Sequence, residues 1–255
     1  MNKEKFDLAQ YISHHSGNSY EWHLPFLPPI PLPKWLSLHG LMLLIASFVL
    51  IVVFCLCYDK KKKVPQGFTN ILELMIIFVR DEIVTPYLGK EDGMRMTPLF
   101  CTLFFLILTS NLMGLIPLFT SATSNVNVTG ALAFITLLFM TVGAMHKNGV
   151  GGFFRALIPP EVPVWTLVLI FPTELLGVFI KSFVLMVRLF ANIYAGHLVL
   201  MTVIGIIVMF GIAALPALTL VVFVYLLEVF VAFLQAYIFT LLSAIFIGHM
   251  YYPEH

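Results

Sequence analysis

The sequence predicts an all-α polytopic membrane protein. It has about five membrane helices plus one amphipathic surface helix, the last two membrane helices being long, steeply tilted and paired as an antiparallel hairpin. Three observations predict this. Of the 255 residues, 60% are hydrophobic and 11% charged, with a mean hydropathy of +0.98, a composition suited to lipid and not to a water-soluble domain. The apolar residues are gathered into runs long enough to cross a bilayer as helices. One run, free of proline from Thr173 to Leu215, carries Arg188 near its middle.

Residues 1–35 are polar and rich in proline (Pro25, Pro28, Pro29, Pro31, Pro33), without the basic start and short apolar core of a cleavable signal, and read as an extramembrane arm. The first crossing spans 36–58, roughly 34 Å as a helix at ~1.5 Å per residue against a ~30 Å hydrocarbon core. It runs into Lys60-Lys61-Lys62-Lys63, which the positive-inside rule assigns to the cytoplasm, so the arm faces outward. Residues 59–96 form a cytoplasmic basic loop and an amphipathic helix over Phe68 to Thr85, whose apolar residues alternate with Glu73, Arg80, Asp81 and Glu82. A transmembrane hairpin follows at 97–146, turning at Thr120 to Val128, and a cytoplasmic loop at 147–163 carries Lys147 and Arg155. The acceptor pattern Asn127-Val-Thr129 abuts a span and is read as unmodified.

Residues 164–255 form the long hairpin. Val164 to Phe210 and Leu218 to Tyr252 each exceed one perpendicular crossing, and neither Gly177 nor Gly196 has the polar cluster that a reversal in lipid requires. A helix of ~40 residues is about 60 Å long and crosses only by tilting. Cys55, Cys57 and Cys101 lie in apolar segments without metal or redox spacing and read as small packing residues. The formal net charge of +1 carries no nucleic-acid footprint.

Between Val164 and Met250 the Asp, Glu, Lys and Arg residues are Glu174, Lys181, Arg188 and Glu228, each costing about 2.5–3.5 kcal/mol at a bilayer centre. Glu174, Lys181 and Arg188 recur every seven positions and form one slowly drifting stripe. Folding the last two helices back from a turn near Gly211 to Pro216 sets Arg188 opposite Gln235, His197 opposite Glu228, and Glu174 opposite His249. His197 lies nine residues beyond Arg188, about half a turn away on a straight helix. Either Gly196 bends the helix or a route passes behind it. Asn111, His39, His14 and His15 read as structural or solvated.

Several strings resemble subunit a of F-type ATP synthases: Pro172-Thr-Glu174, Arg188-Leu-Phe-Ala-Asn192, Ala195-Gly196-His197 and Leu234-Gln235-Ala-Tyr237. Phe78-Val-Arg80-Asp81-Glu82-Ile83, Asn111-Leu-Met-Gly114-Leu-Ile-Pro117 and Asn125-Val-Asn127-Val-Thr129 agree, so the resemblance covers nearly everything from Phe68 to Phe246. It implies a non-catalytic stator subunit of the Fo sector, without cofactor or metal. Its long hairpin would face a ring of c subunits, with peripheral-stalk b subunits and the rest of the synthase as partners, in a bacterial plasma membrane. Arg188 would be the gating arginine between two offset half-channels. His197 and Glu228 would form the outer half-channel, Asn192 and Gln235 would orient water or Arg188, and Glu174 would line the cytoplasmic exit. Some bacterial members carry Glu where this chain has His197 and His where it has Glu228, so this chain has the exchanged pair, which is also found in mitochondrial members. Asn125 stands where some relatives have Asp.

Two other classes fit less well. A stand-alone secondary transporter of ions or solutes would show internal repeats and helices broken at mid-membrane. An intramembrane hydrolase would need a serine–histidine pair, two facing aspartates or HExxH, yet no aspartate follows Asp92 and no HExxH occurs. The chain has no GxxxxGK phosphate loop, so it does not make ATP itself.

Overall fold

The structure, a computed structural model, describes residues 21–22, 30–31, 33, 37–57, 67–116, 119, 121–158, 163, 165–210 and 215–253. Within the helices, the side chains at 57, 197, 201, 204, 206–210 and 215–218 are outside the description. The tetralysine block, His14, His15 and most of the N-terminal arm therefore also lie outside it. Of the arm, the described part is a two-residue antiparallel pairing, β1 (Glu21–Trp22) with β2 (Ile30–Pro31).

All other regular structure among the described residues is helical, and five helical stretches are long and apolar enough to cross a membrane. The first is α1 (Leu38–Cys57). Leu38, Met42 and Ala46, four apart, form its buried stripe, while only 22% of the span is buried and the rest is left to lipid. Phe54 fixes the other end by an edge-on contact with Phe105, ring centres 5.2 Å apart.

The amphipathic segment is α2 (Phe68–Phe78), and it is not a separate element. It continues through a π-helical turn (Val79–Val84) into α3 (Thr85–Gly114). Leu72, Val79 and Ile83 are buried beneath it, while Phe68, Ile71 and Leu74 remain exposed with Asn70 and Glu73, the pattern of a helix lying at an interface. The change of direction falls at Gly89, whose φ of 70° and ψ of 176° break the helical path. Glycine reaches that conformation without a side-chain clash. Beyond the bend α3 becomes strongly apolar, and its Phe100, Phe104 and Ile107 are completely buried.

After α3, a short 3₁₀ turn (Ala122–Ser124) leads into α4 (Val126–Leu138). Asn125 is the N-cap of α4: its side-chain oxygen accepts from the Asn127 amide at 2.8 Å, satisfying one of the orphan donors at a helix start. Thr129, the third residue of the acceptor pattern, is fully buried. A second π turn (Phe139–Gly143) joins α4 to α5 (Ala144–Ala156). The two long helices follow, α6 (Leu167–Phe210, 44 residues) and α7 (Leu215–Tyr251, 37 residues), about 66 and 55 Å long at ~1.5 Å per residue.

α7 packs on α3, α4 on α6, and α6 on α7, with α1 outside against α3. The shared core joins Phe104 and Ile107 of α3, Leu132 of α4, Leu185 and Leu189 of α6, and Phe239 of α7. Hydrocarbon provides no hydrophobic drive between helices, so close backbone approach must hold them together. The face of α7 is built for that. Ala232, Ala236, Thr240 and Ala244 recur every four residues and are all buried, and Gly248 extends the series. A Cβ on Gly248 would lie 2.5 Å from the backbone oxygen of Tyr87.

At the same end, Asn148 donates from Nδ2 to the carbonyls of Met250 (3.2 Å) and Tyr251 (3.1 Å), capping α7. Asp92 accepts from the Tyr252 hydroxyl at 2.8 Å and pairs with Lys147, whose ammonium stands 3.4 Å from the centre of the Tyr252 ring. α3, α5 and the end of α7 are thereby pinned together. Gly248→Val should cost about 1–3 kcal/mol through overpacking, lowering the thermal midpoint of the detergent-purified protein. Gly151→Ala, at a position with open space around it, should leave the midpoint unchanged.

Candidate functional site

The face that α6 turns to the core is set by Val178, Ser182, Leu185 and Leu189, all buried and spaced by three or four residues. The residues between them face outward. Phe179, Ile180, Phe183, Val184 and Val187 are exposed, and only 11% of the span Leu167–Leu200 is buried. α7 adds Phe223, Leu226, Phe230 and Phe233 to this open apolar surface. Arg188 is exposed on it and has no ion pair or hydrogen bond with any described residue. A guanidinium is a cation even in a poorly solvated setting, so this surface carries a positive charge that no described residue neutralises.

Behind the surface lies a pocket into which a few polar side chains converge. Asn192, one helical turn beyond Arg188, donates from Nδ2 to Oε1 of Gln235 at 3.1 Å, tying α6 to α7. Gln235 is 1% exposed, and its Nε2 has no partner among the described residues. Two turns earlier on α7, on the same face, stands Glu228. Glu228 is 9% exposed, and its Oε1 is likewise without a partner among the described residues. The carboxyl borders a cavity of about 220 Å³, lined also by Asn111, Asn192 and Gly196. At ~30 Å³ per water the cavity has room for several, and Asn111, Asn192 and Glu228 offer them polar partners within an otherwise apolar lining.

Gly196 explains how the carboxyl fits. A Cβ built there would stand 2.9 Å from Oε1 of Glu228, so α6 approaches α7 here by omitting a side chain. α6 is helical through Gly196 into His197, and the side chain of His197 lies outside the described residues. The opposition expected between the long helices therefore agrees with the contacts to within about one turn. Gly196, next to His197, meets Glu228. Gln235 meets Asn192 one turn past Arg188. Lys181 reaches across to Phe246, its ammonium 5.8 Å from the ring centre. Glu174 is half-exposed and His249 exposed, and no hydrogen bond or ion pair joins them.

One participant was not anticipated. Asn111 of α3, read from sequence as structural, borders the cavity opposite Gly196 and Glu228 on a third helix. Its signal was an amide deep within an apolar run, but only tertiary packing reveals which cavity it borders. Among the described residues no cluster of three or more His, Cys, Asp or Glu could hold a metal ion.

With this geometry, the chain compares with known proteins as follows. The ATP synthase A chain family matches residues 40–248. ATP synthase subunit a of Anaeromyxobacter dehalogenans (strain 2CP-C) is 42% identical over 216 residues, which cover 82% of this chain and 56% of that protein. ATP synthase subunit a of Myxococcus xanthus (strain DK1622) is 41% identical over 215 residues, covering 82% of this chain and 71% of that protein. ATP synthase subunit a of Chloroherpeton thalassium (strain ATCC 35110 / GB-78) is 37% identical over 258 residues, covering 96% and 76%. The chain thus spans little more than half of the Anaeromyxobacter relative and about three quarters of the Chloroherpeton one. With the match running through the helices that carry Arg188, Asn192, Glu228 and Gln235, the chain belongs to the ATP synthase A chain family.

Proposed function

We propose that the chain is the proton-translocating subunit a of a rotary F-type ATP synthase, a non-catalytic stator subunit that provides two offset half-channels and couples proton flow to rotation of a c-ring through Arg188. The carrying observation is the pairing of a guanidinium on an open apolar face with a buried carboxyl in the cavity just behind it, neither having an ionic partner among the described residues. A mobile ring whose subunits bear lipid-buried carboxyl groups matches that face in both apolarity and charge.

The chemistry follows from electrostatics. A proton arriving through the cavity is handed on by Glu228, whose carboxyl relays through water, together with His197, an imidazole being a proton shuttle. It passes to a ring carboxylate, and the neutral carboxylic acid then moves into lipid at low cost. On return from the other side, the ring carboxyl meets Arg188, whose positive charge favours the ionised form, so the proton leaves through the half-channel lined by Glu174 towards the cytoplasm. The same charge repels a proton moving directly between the half-channels. Asn192 and Gln235, hydrogen-bonded to each other one turn from Arg188, hold the boundary between guanidinium and cavity. Each proton falling through 100 mV delivers about 2.3 kcal/mol, and a full turn sums several such steps.

In inverted vesicles carrying assembled complexes, Arg188→Ala should abolish ATP-driven pumping and raise the passive proton leak. Arg188→Lys should fail nearly as badly, because an ammonium loses the planar fork and gives up its proton more readily in low dielectric. Normal pumping by Arg188→Ala would overturn the reading and favour a stand-alone transporter.

Gly196→Ala drives a methyl against the Glu228 carboxyl and should slow pumping by about tenfold, the effect of ~1.4 kcal/mol on the rate-limiting step. Gly177→Ala, whose nearest neighbour is 4.0 Å away, should pump normally. Exchanging His197 and Glu228 together should retain more pumping than the product of the two single losses, which a double-mutant cycle measures.

A further inference from the structure

α1 does not border the Glu228 cavity, yet a buried line of polar side chains connects the two. His39, in the first turn of α1, is 2% exposed. Its Nδ1 lies 3.1 Å from the carbonyl oxygen of Ser121. A carbonyl only accepts, so Nδ1 carries the proton and donates. Ser121 Oγ is 2.8 Å from Thr123 Oγ1, which donates to Asn111 Oδ1 at 2.5 Å. The Thr123 proton is thereby committed to Asn111, and Ser121 must donate to Thr123. Asn111 Nδ2 in turn donates to the carbonyl of Ala232 on α7 at 3.4 Å, and both Asn111 and Ala232 line the cavity. Ser121 and Thr123 are 0% exposed and Asn111 2%.

Buried away from water, each of these groups is costly without its partner, so the line is directional and over-determined. With Oδ1 held by Thr123 and one Nδ2 hydrogen held by Ala232, the Asn111 amide cannot turn over. Its second Nδ2 hydrogen is the one left for the cavity.

Ser121 is also gripped from the other side. A Cβ on Gly114 would overlap the Ser121 Cβ and lie 2.9 Å from its Cα. Ser121 is therefore wedged between the imidazole of α1 and the bare backbone at the end of α3, and it can be displaced from either side.

We infer that His39 is a positioning residue for the proton inlet: by holding the Ser121 carbonyl it sets the two hydroxyls that orient Asn111 beside Glu228, so that the first transmembrane helix shapes the outer half-channel without touching it. This rests on the reading of the Glu228 cavity as part of the proton path.

The test compares His39→Phe, His39→Asn, Gly114→Ala and Glu228→Gln in inverted vesicles containing the whole synthase, with ATP-driven pumping normalised to assembled complex. His39→Phe fills the site with an apolar ring but cannot donate, whereas His39→Asn places an amide N–H near the position of Nδ1. His39→Phe and Gly114→Ala are each expected to lower pumping about fivefold, the factor that one net hydrogen bond is worth, and His39→Asn should recover most of it. A merely structural His39 would be replaced better by Phe than by Asn.

Wild-type pumping by His39→Phe, no advantage of Asn over Phe, or losses that track complex abundance in both His39→Phe and Gly114→Ala would each overturn the inference. If Glu228→Gln pumps normally, the underlying reading of the cavity falls. If it stops pumping while His39→Phe pumps normally, the inference about His39 alone fails.

Discussion

The structure is governed by one constraint: at membrane depth there is no water to satisfy a polar group, so each must find a protein partner, a trapped water or a partner subunit. Most of the buried polar groups here take the first course. Thr136 and Ser243 join α4 to α7 through hydroxyls 3.1 Å apart, and Thr240 and Ser243 also donate back to carbonyls one turn earlier. Among the described residues the buried atoms without partners are Ser110 Oγ, Ser182 Oγ, Glu228 Oε1 and Gln235 Nε2, while Arg188 stands exposed on apolar surface. A lone hydroxyl loses little by going unpaired, so the carboxyl of Glu228 and the amide of Gln235 are the exceptions that need a partner from elsewhere.

The same constraint shapes the packing. Because apolar side chains are as content in lipid as against each other, association relies on close backbone contact and on a few hydrogen bonds. α7 supplies the contact with small residues every fourth position, and the basic end supplies the bonds through Asn148, Asp92, Lys147 and Tyr252. That places the rigid support of α7 at one end and on one side. The other side, with Phe223, Leu226 and Phe230, is left exposed. If that side bears on a moving ring, as proposed, the division serves it, since these side chains are not the ones that hold α7 in place.

Much of this was legible in the residues. The crossings follow from the apolar runs because hydropathy averages over a whole helix and needs no tertiary information. Arg188 and Glu228 stand out because charge in such runs is rare, and counting back from the turn predicts which residues of α6 face which of α7 because a helix advances uniformly along its axis. What escaped depends on contacts between distant segments. The continuation of the amphipathic segment through Val79–Val84 into α3 hides behind its charges, and its bend depends on the backbone freedom of Gly89. The small-residue stripe of α7 was readable in principle, since its period is four, but it is submerged in a uniformly apolar sequence. The roles of Gly196, Asn111 and His39 could not be read, because each is defined by what lies across a helix interface.

The two glycines nearest the site make the last step. Gly196 and Gly114 lie on different helices, and each omits a side chain where a polar group of another segment must fit: the Glu228 carboxyl in one case and Ser121 in the other. If close packing were the sole requirement, apolar neighbours would serve as well and at lower desolvation cost. Polar groups are seated against bare backbone because their positions matter more than the contact area lost. A carboxyl that exchanges protons must be held near its donors without being permanently bonded to them. A glycine opposite it limits its movement while offering no side-chain hydrogen bond. The cavity beside Gly196 thus keeps Glu228 confined yet uncommitted, whereas the hydroxyls beside Gly114 are fully committed and fix the wall around it. Rigidity in the wall and freedom at the carboxyl are what the proposed proton path would require together, and the chain meets both with the same device.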